Sequence, residues 1–463
     1  PAPEKHYWRA ALAEAMSLAG GTAWYWIDRE RQVADWDFPS WTDRLTTDVM
    51  RYDNNPFHVN FAWHAANGTG FHFWARANGL SFLESVGMGA LTSLTWEYAL
   101  EYREKVSVND LIFTTGTGIS FGEFMHVLGR YLNEDPEAAE WTAARWTAGF
   151  PLALTRALDG RRPASLASKP DFWHQLHLAY DFASSDVTRE AEQASDLQGD
   201  DDYFMHTLHL DGRFVRLPGY LQVGQWSRFF HTAEFTQASV EVSLSGKGDA
   251  VRLSSDAILL GWYSQNIAED GALSKAGMLG VSTAYDYRRE EFGLWDDKVG
   301  VFHFPGPAAN LHLSWQGVSL EARARAYADF AGLNAMSNEA WNAAHPAEQG
   351  KAILRKQGYY YGYGASASLF AELRYRDLSL GTRLQGGRYF SDEGLDRIQE
   401  EVTLDQKSSD ELRDAELWLR LDGLPYHSYL AARVSLRERT ATLEEFESSA
   451  TLTRFALQLG LAL

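Results

Sequence analysis

The stretch from Tyr52 to Glu123 carries His58, His64, His72, Arg76, Glu97, Glu101, Asp110 and Glu123 among mainly apolar residues. Ser93, Glu97 and Glu101 recur every four residues, a spacing that puts them on one face of a helix. Two carboxylates so placed repel each other unless a cation, a metal ion or Arg76 neutralises them. Joined by His58 or His64, they form an acid/base set or a carboxylate–histidine metal site. His58, Glu97 and Glu101 are therefore the catalytic candidates. His64, His72, Arg76, Ser93, Asp110 and Glu123 make up the polar cluster around them. A metal at this His/Glu cluster is the one cofactor the residues suggest, and its identity is not legible. The histidine spacings argue against a simple helical metal pair. His58 and His64 are six apart and His64 and His72 eight apart, where such a pair needs three or four.

A structural reading competes for the same residues. Ser81 with Glu84, Ser107 with Asp110, and Ser120 with Glu123 each have the three-residue spacing of a capping box, and apolar runs follow. Asn55 before Pro56 suits a helix start, and Asn78-Gly79 a helix stop. Arg76, four residues after His72, would pair with a carboxylate in a seam between helices. Glu97 and Glu101 would face Arg103, Lys105 or an arginine-lined barrel wall. Residues 1–165 thus read as several short helices. Along the first of them, Trp8, Leu12, Ala15, Ala19 and Trp26 form either an interfacial stripe or an ordinary core face. Gly116-Thr-Gly-Ile-Ser-Phe-Gly122 imitates a phosphate loop but lacks the lysine that should follow it.

Several runs here are similar to a family of bacterial envelope proteins. These are Asp53-Asn-Asn-Pro-Phe-His58, Ala75-Arg-Ala-Asn-Gly79, Ser93-Leu-Thr-Trp-Glu97-Tyr-Ala-Leu-Glu101, Ser107-Val-Asn-Asp110-Leu, and Gly116-Thr-Gly118 to Gly122-Glu123. Over about residues 52–132 the chain resembles domain of unknown function 3943. The resemblance implies an exported outer-membrane protein and brings no activity or catalytic residues with it.

The second half of the chain has a different rhythm. From Thr453 to the end, Phe455, Leu457, Leu459, Leu461 and Leu463 alternate with Arg454, Ala456, Gln458, Gly460 and Ala462. Leu417, Leu419 and Leu421 alternate with Trp418, Arg420 and Asp422, and Ala432, Val434 and Leu436 with Arg433, Ser435 and Arg437. Leu320 to Ala328 alternates likewise with Glu321 to Asp329. Strands that are greasy on one face and charged on the other suit a wall between lipid and an ion-paired lumen. About twelve such runs follow Tyr203. Tight turns near Gln316-Gly317, Arg376-Asp377 and Gly423–Tyr426 alternate with long segments at Gly332–Gly358, Ser391–Leu412 and Thr440–Glu447, as in outer-membrane barrels. A soluble β-sandwich also alternates, but it would turn its greasy face inward and needs covered edges. The arginine-rich faces fit it less well.

The expected fold is therefore an antiparallel membrane β-barrel of about twelve strands, with an N-terminal α-helical domain plugging or capping it. The helical domain covers 1–165, a linker and acidic loop 166–202, and the barrel 203–463. Arg156–Pro170 reads as linker and Ser184–Asp202 as loop. Trp173–Phe182 reads as a strand that would make the count odd, so it is either left out of the wall or has an uncounted partner. Composition agrees with this picture. No run of 18 apolar residues is free of charge, so helical spans are not expected. The low mean hydropathy of −0.34 is what alternation produces. Aromatic residues reach 14%, with 17 Trp, enough for interfacial girdles. Cysteine is absent, which excludes disulfides and thiolate metal sites, and a net charge of −20 argues against nucleic acid. Pro1-Ala2-Pro3 opens the chain with no basic-then-apolar leader, as in a mature, trimmed chain.

The location implied is the Gram-negative outer membrane, with the helical domain periplasmic or inside the lumen. Membrane lipid is the first partner, and lipopolysaccharide or a periplasmic protein a further one. Function then reads as a gated or occluded passage, or as a lipid- or partner-binding scaffold. The alternative is a hydrolase-like envelope enzyme acting on lipid or glycan through His58, Glu97 and Glu101.

Overall fold

The computed structural model describes residues 4–27, 39–46, 50–102, 104–134, 141–160, 173–191, 198–269, 271–345, 354, 357–392, 397–398, 401–402 and 406–463. The chain divides into a mainly helical unit, 1–172 with 351–357 and 393–405, and a strand unit of 173–350, 358–392 and 406–463.

The strand unit is a closed antiparallel barrel with twelve wall positions. They are β1 Trp173–Ala191, β2 Gly199–Val215, β3 (broken into Gly224–Phe230 and Phe235–Ser245), β4 Gly248–Ile267, β5 Ser274–Phe292 and β6 Trp295–Trp315. The circuit continues with β7 Val318–Asn334, β8 Tyr359–Tyr375, β9 Leu378–Ser391, β10 Ser408–Leu424, β11 Ser428–Leu443 and β12 Phe446–Ala462. Each strand pairs with its sequence neighbour, and β12 closes on β1 from Ser448↔Ala191 to Ala462↔His177. Closure removes the sheet edges, so every wall strand can satisfy its backbone groups without water.

The period-two pattern sorts side chains as the sequence implied. Phe455, Leu457 and Leu459 are 63%, 62% and 57% exposed on the outer surface, and Leu417, Leu419 and Leu421 about half exposed. Their neighbours Arg433, Arg437 and Arg439 point inward and are shielded. An apolar outer face around an ionic interior is the arrangement of a membrane barrel, not of a sandwich.

Three expectations change. Trp173–Phe182 is not outside the wall: it opens β1, and the count of twelve is reached only with it. The acidic stretch Ser184–Asp202, expected as a loop, supplies the end of β1 and the start of β2, with Arg189 paired to Gly199 and residues 192–197 outside the described set. Its outward residues Ser184, Asp186, Thr188 and Glu190 are polar, whereas Tyr180 and Phe182 are large, exposed and aromatic. A strand that continues past the hydrocarbon keeps its ladder but loses its greasy face, so the sequence signal fades before the strand does. The long connection expected over Thr440–Glu447 is a two-residue turn, with Leu443 opposite Phe446. The linker expected at Arg156–Pro170 lies outside the described residues from 161, and Arg156 belongs to a helix.

The helical unit contains α1 Tyr7–Ile27, α2 His64–Ala77, α3 Phe82–Thr95, α4 Val108–Thr117, α5 Glu123–Glu134, α6 Thr142–Trp146 and α7 Phe150–Leu158. No described helix is long and apolar enough to cross a membrane. Three π-turns, Val59–Trp63, Trp96–Leu100 and Gly118–Gly122, adjoin α2, α3 and α5. Helix α2 is the hub, and α4 packs on it closely: a Cβ at Gly68 would lie 1.7 Å from the Thr114 carbonyl oxygen. A Cβ at Gly118 would lie 2.8 Å from the Gly68 carbonyl oxygen, and one at Gly122 2.8 Å from His72 Cβ, which gives the glycine-rich stretch a packing role instead of a phosphate loop.

Candidate functional sites

Two regions gather chemistry, one in each unit. In the helical unit the site begins with a short parallel bridge that pairs Met50 with Val106 and Arg51 with Ser107. It brings Asp53, two residues past the first strand, beside Asp110, three past the second. The Asn109 side chain accepts from the Asp53 N–H at 2.8 Å, and Asn60 Nδ2 donates to the Asp53 carbonyl at 3.1 Å. The π-turn Trp96–Leu100 adds Glu97 and Glu101. A wide turn leaves carbonyls without helical partners, and Arg44 supplies donors to Glu97 O at 3.0 Å, Glu101 O at 3.1 Å and Glu104 O at 2.5 Å. The Ser107 N–H donates to Glu97 Oε2 at 2.9 Å. Arg51 and the Tyr25 hydroxyl both donate to Glu104, at 2.7 and 2.8 Å.

Two sets of ligand atoms converge here. One atom each from Glu97, Glu101 and Asp110 lie within 4.8 Å of one another, and so do one each from Asp53, His64 and Asp110. Asp110 belongs to both. His64 Nε2 is 3.5 Å from Asp110 Oδ1, and Thr114 Oγ1 lies 3.3 Å from His64 Nδ1. Five buried carboxyls, counting Glu104, thus lie near one another and near Arg44 and Arg51. Burial, and then repulsion from neighbouring carboxylates, raises Glu101 and Asp110 well above the ordinary range. Burial likewise lifts Glu97 to about 8.

The other sequence candidates lie elsewhere. His58 is exposed and outside the convergent groups. Ser93 is buried on α3, also outside them. His72, Arg76 and Glu123 form a separate triad around the buried Glu123: His72 Nε2 and Arg76 Nε each lie 2.9 Å from Glu123 Oε2, and Arg76 also donates to Leu80 O at 2.8 Å. That triad ties α2 to α5. Glu84 caps α3 with Ser81 as the spacing implied, whereas Ser107 makes no side-chain cap to α4, which leaves Asp110 to the acidic cluster. Sequence reasoning missed Asp53, Arg44, Arg51 and Glu104. The motif around Asp53 was visible, but a two-residue parallel bridge leaves no periodic signal.

In the barrel, charge crosses the lumen. Arg437 on β11 donates to Glu290 on β5, the diametrically opposite strand, at 2.5–2.8 Å. Arg288 on β5 reaches Asp414 on β10 at 3.1 Å, and Arg439 on β11 reaches Asp297 on β6 at 2.8 Å. Arg213 on β2 pairs with Glu321 on β7. Beside this layer lies a chamber of about 460 Å³, lined by His209, Glu241, Asp256, Glu321, Arg323 and Glu372 among others. Two smaller cavities, about 90 and 120 Å³, meet it at Glu241, Arg383 and Gln385.

Apolar clusters sit beyond the ions. Val187, Met205, Phe292, Trp295, Met336 and Leu452 fill one end, and Val215, Tyr220, Phe235, Tyr263 and Met278 cluster toward the other. At the first end the β7–β8 connection turns inward. Arg189 on β1 donates to Met336 O at 2.9 Å, and the Ser337 and Ser448 hydroxyls are 2.6 Å apart.

Residues 49–152 match the model of a domain of unknown function, DUF3943. The DUF3943 segment therefore holds the whole acidic cluster apart from Arg44. No curated protein matches the chain. Solved structures similar to it are a Pseudomonas aeruginosa FadL homologue, an outer membrane channel from Pseudomonas putida F1 and Pseudomonas aeruginosa OpdQ. The first is 11% identical over 62% of this chain and 90% of that one, with a TM-score of 0.25. The second is 10% identical over 62% and 96%, at 0.29, and the third 9% identical over 63% and 98%, at 0.18. The barrel assignment rests on the strand pairing given above.

Proposed function

We propose that the chain is an occluded passage of the bacterial outer membrane, a barrel with its outward face in membrane lipid and its lumen barred by its own ion pairs. The observation that carries this reading is the Arg437–Glu290 pair between opposite walls, backed by Arg288–Asp414 and Arg439–Asp297. Such pairs hold strongly when shielded, yet they can be exchanged for a charged or polar solute that offers the same contacts. A chamber of about 460 Å³ with both signs of charge suits a small polar solute. The helical domain enters this proposal as a plug or cap, because about twelve strands enclose room for few helices.

Planar-bilayer recording tests the reading. Wild-type protein should conduct little, and the double change Arg437→Ser with Glu290→Ser should raise conductance severalfold. If the unaltered protein already conducts as freely as the double variant, the ionic layer is not the barrier. Silence from both removes the passage. A chain lacking residues 1–165 addresses the plug: a rise in current supports it, and unchanged current removes it.

A further inference from the structure

We infer that the DUF3943 segment holds a divalent-cation site centred on Asp110, with Glu97 and Glu101 on one side and Asp53 and His64 on the other. The donor atoms come from four separate stretches of chain and converge within 4.8 Å in two triads that share Asp110. A second observation points to a ligand. Glu97 is 1% exposed; its Oε2 accepts from Ser107, but Oε1, equally buried, has no hydrogen-bond partner. A carboxylate oxygen in that state costs free energy unless a proton or a cation meets it. Neither nearby arginine hydrogen-bonds that oxygen: Arg44 spends donors on three backbone carbonyls, and Arg51 Nη2 donates to Glu104.

The donor set indicates the class of ion. Four carboxylates with one imidazole and no thiolate suit a first-row divalent ion such as Mn²⁺ or Zn²⁺. Sites of oxygen donors alone suit Mg²⁺ or Ca²⁺. Thr114 beside His64 Nδ1 fixes the ring so that Nε2 faces Asp110, the supporting contact that metal-ligating histidines commonly have.

The test uses full-length protein in detergent, stripped with EDTA and titrated with Mn²⁺ by calorimetry and by loss of the free-ion paramagnetic resonance signal. Zn²⁺, Mg²⁺ and Ca²⁺ serve as comparisons. Wild-type protein should bind Mn²⁺ and Zn²⁺ more tightly than Mg²⁺ or Ca²⁺. Asp110→Asn should weaken Mn²⁺ binding by at least about tenfold, and Glu84→Gln, in the surface capping box of α3, should leave it unchanged. Should Asp110→Asn fail to fold by circular dichroism, Glu101→Gln carries the same expectation. His64→Gln should erase the preference for Zn²⁺ over Mg²⁺. No binding of Mn²⁺ or Zn²⁺ at millimolar concentration overturns the site, as does undiminished binding by whichever of Asp110→Asn and Glu101→Gln folds.

Discussion

Glu14 illustrates what a single buried charge does. It lies on the shielded side of α1, 4% exposed, and burial pushes its carboxyl up to about 8. Between about pH 4.5 and 8 the folded chain then binds a proton that the unfolded chain has released. Stability of the helical unit must fall as pH rises through that window, by at most about 1.4 kcal/mol per pH unit from this group. Glu14→Gln should flatten that part of the profile, measured as helical circular dichroism against denaturant at pH 5, 6.5 and 8. An unchanged slope would assign the effect to other groups. At this scale the sequence showed which acids exist but not their surroundings. Glu84 and Asp110 have the same serine spacing, yet one caps a helix at the surface and the other is buried among carboxylates.

Among elements, the contact between α2 and α4 depends on glycine for lack of volume. Gly68→Ala would drive a methyl into the Thr114 carbonyl, so helices must part, at a cost of roughly 1–3 kcal/mol. Gly70, on the same helix, meets nothing within 4 Å, and Gly70→Ala should instead stabilise by up to about 1 kcal/mol. Thermal melts of the two variants followed through the helical signal check the contrast; equal shifts would sink it. Helix positions were legible because caps and apolar spacing are local. The π-turns were not, since one extra residue per turn has no composition of its own. In the barrel, the last eleven residues read correctly because both faces of β12 stay within one environment each. The far end of β1 did not, because its outer face passes from lipid to water while its hydrogen bonds continue.

For the whole molecule, the decisive property is an apolar girdle around an ionic interior. Leu457, 62% exposed and well inside β12, should lie in the hydrocarbon, whereas Leu461 sits near the strand's end. Leu457→Arg should therefore cost about 2–4 kcal/mol in lipid vesicles, and Leu461→Arg about 0–1 kcal/mol. Denaturant titration of the refolded barrel by tryptophan fluorescence would show it; equal small costs for both would mean that no hydrocarbon touches that face. The same logic requires detergent for a monodisperse preparation. Protein that stays dissolved without it would contradict the outward exposure of these leucines.

The sequence by itself determined the alternation of the wall, its approximate strand count, the short helices before it and the charged character of the lumen. Each of these is a periodic or local property, written in neighbours two to four residues apart. Only the tertiary structure decided that β12 closes on β1, that Arg437 meets Glu290 across the barrel, and that Asp53 and His64 join Asp110. Those meetings depend on register, closure and a two-residue bridge. They bring together residues up to 285 positions apart, such as His177 and Ala462, which no local pattern could pair.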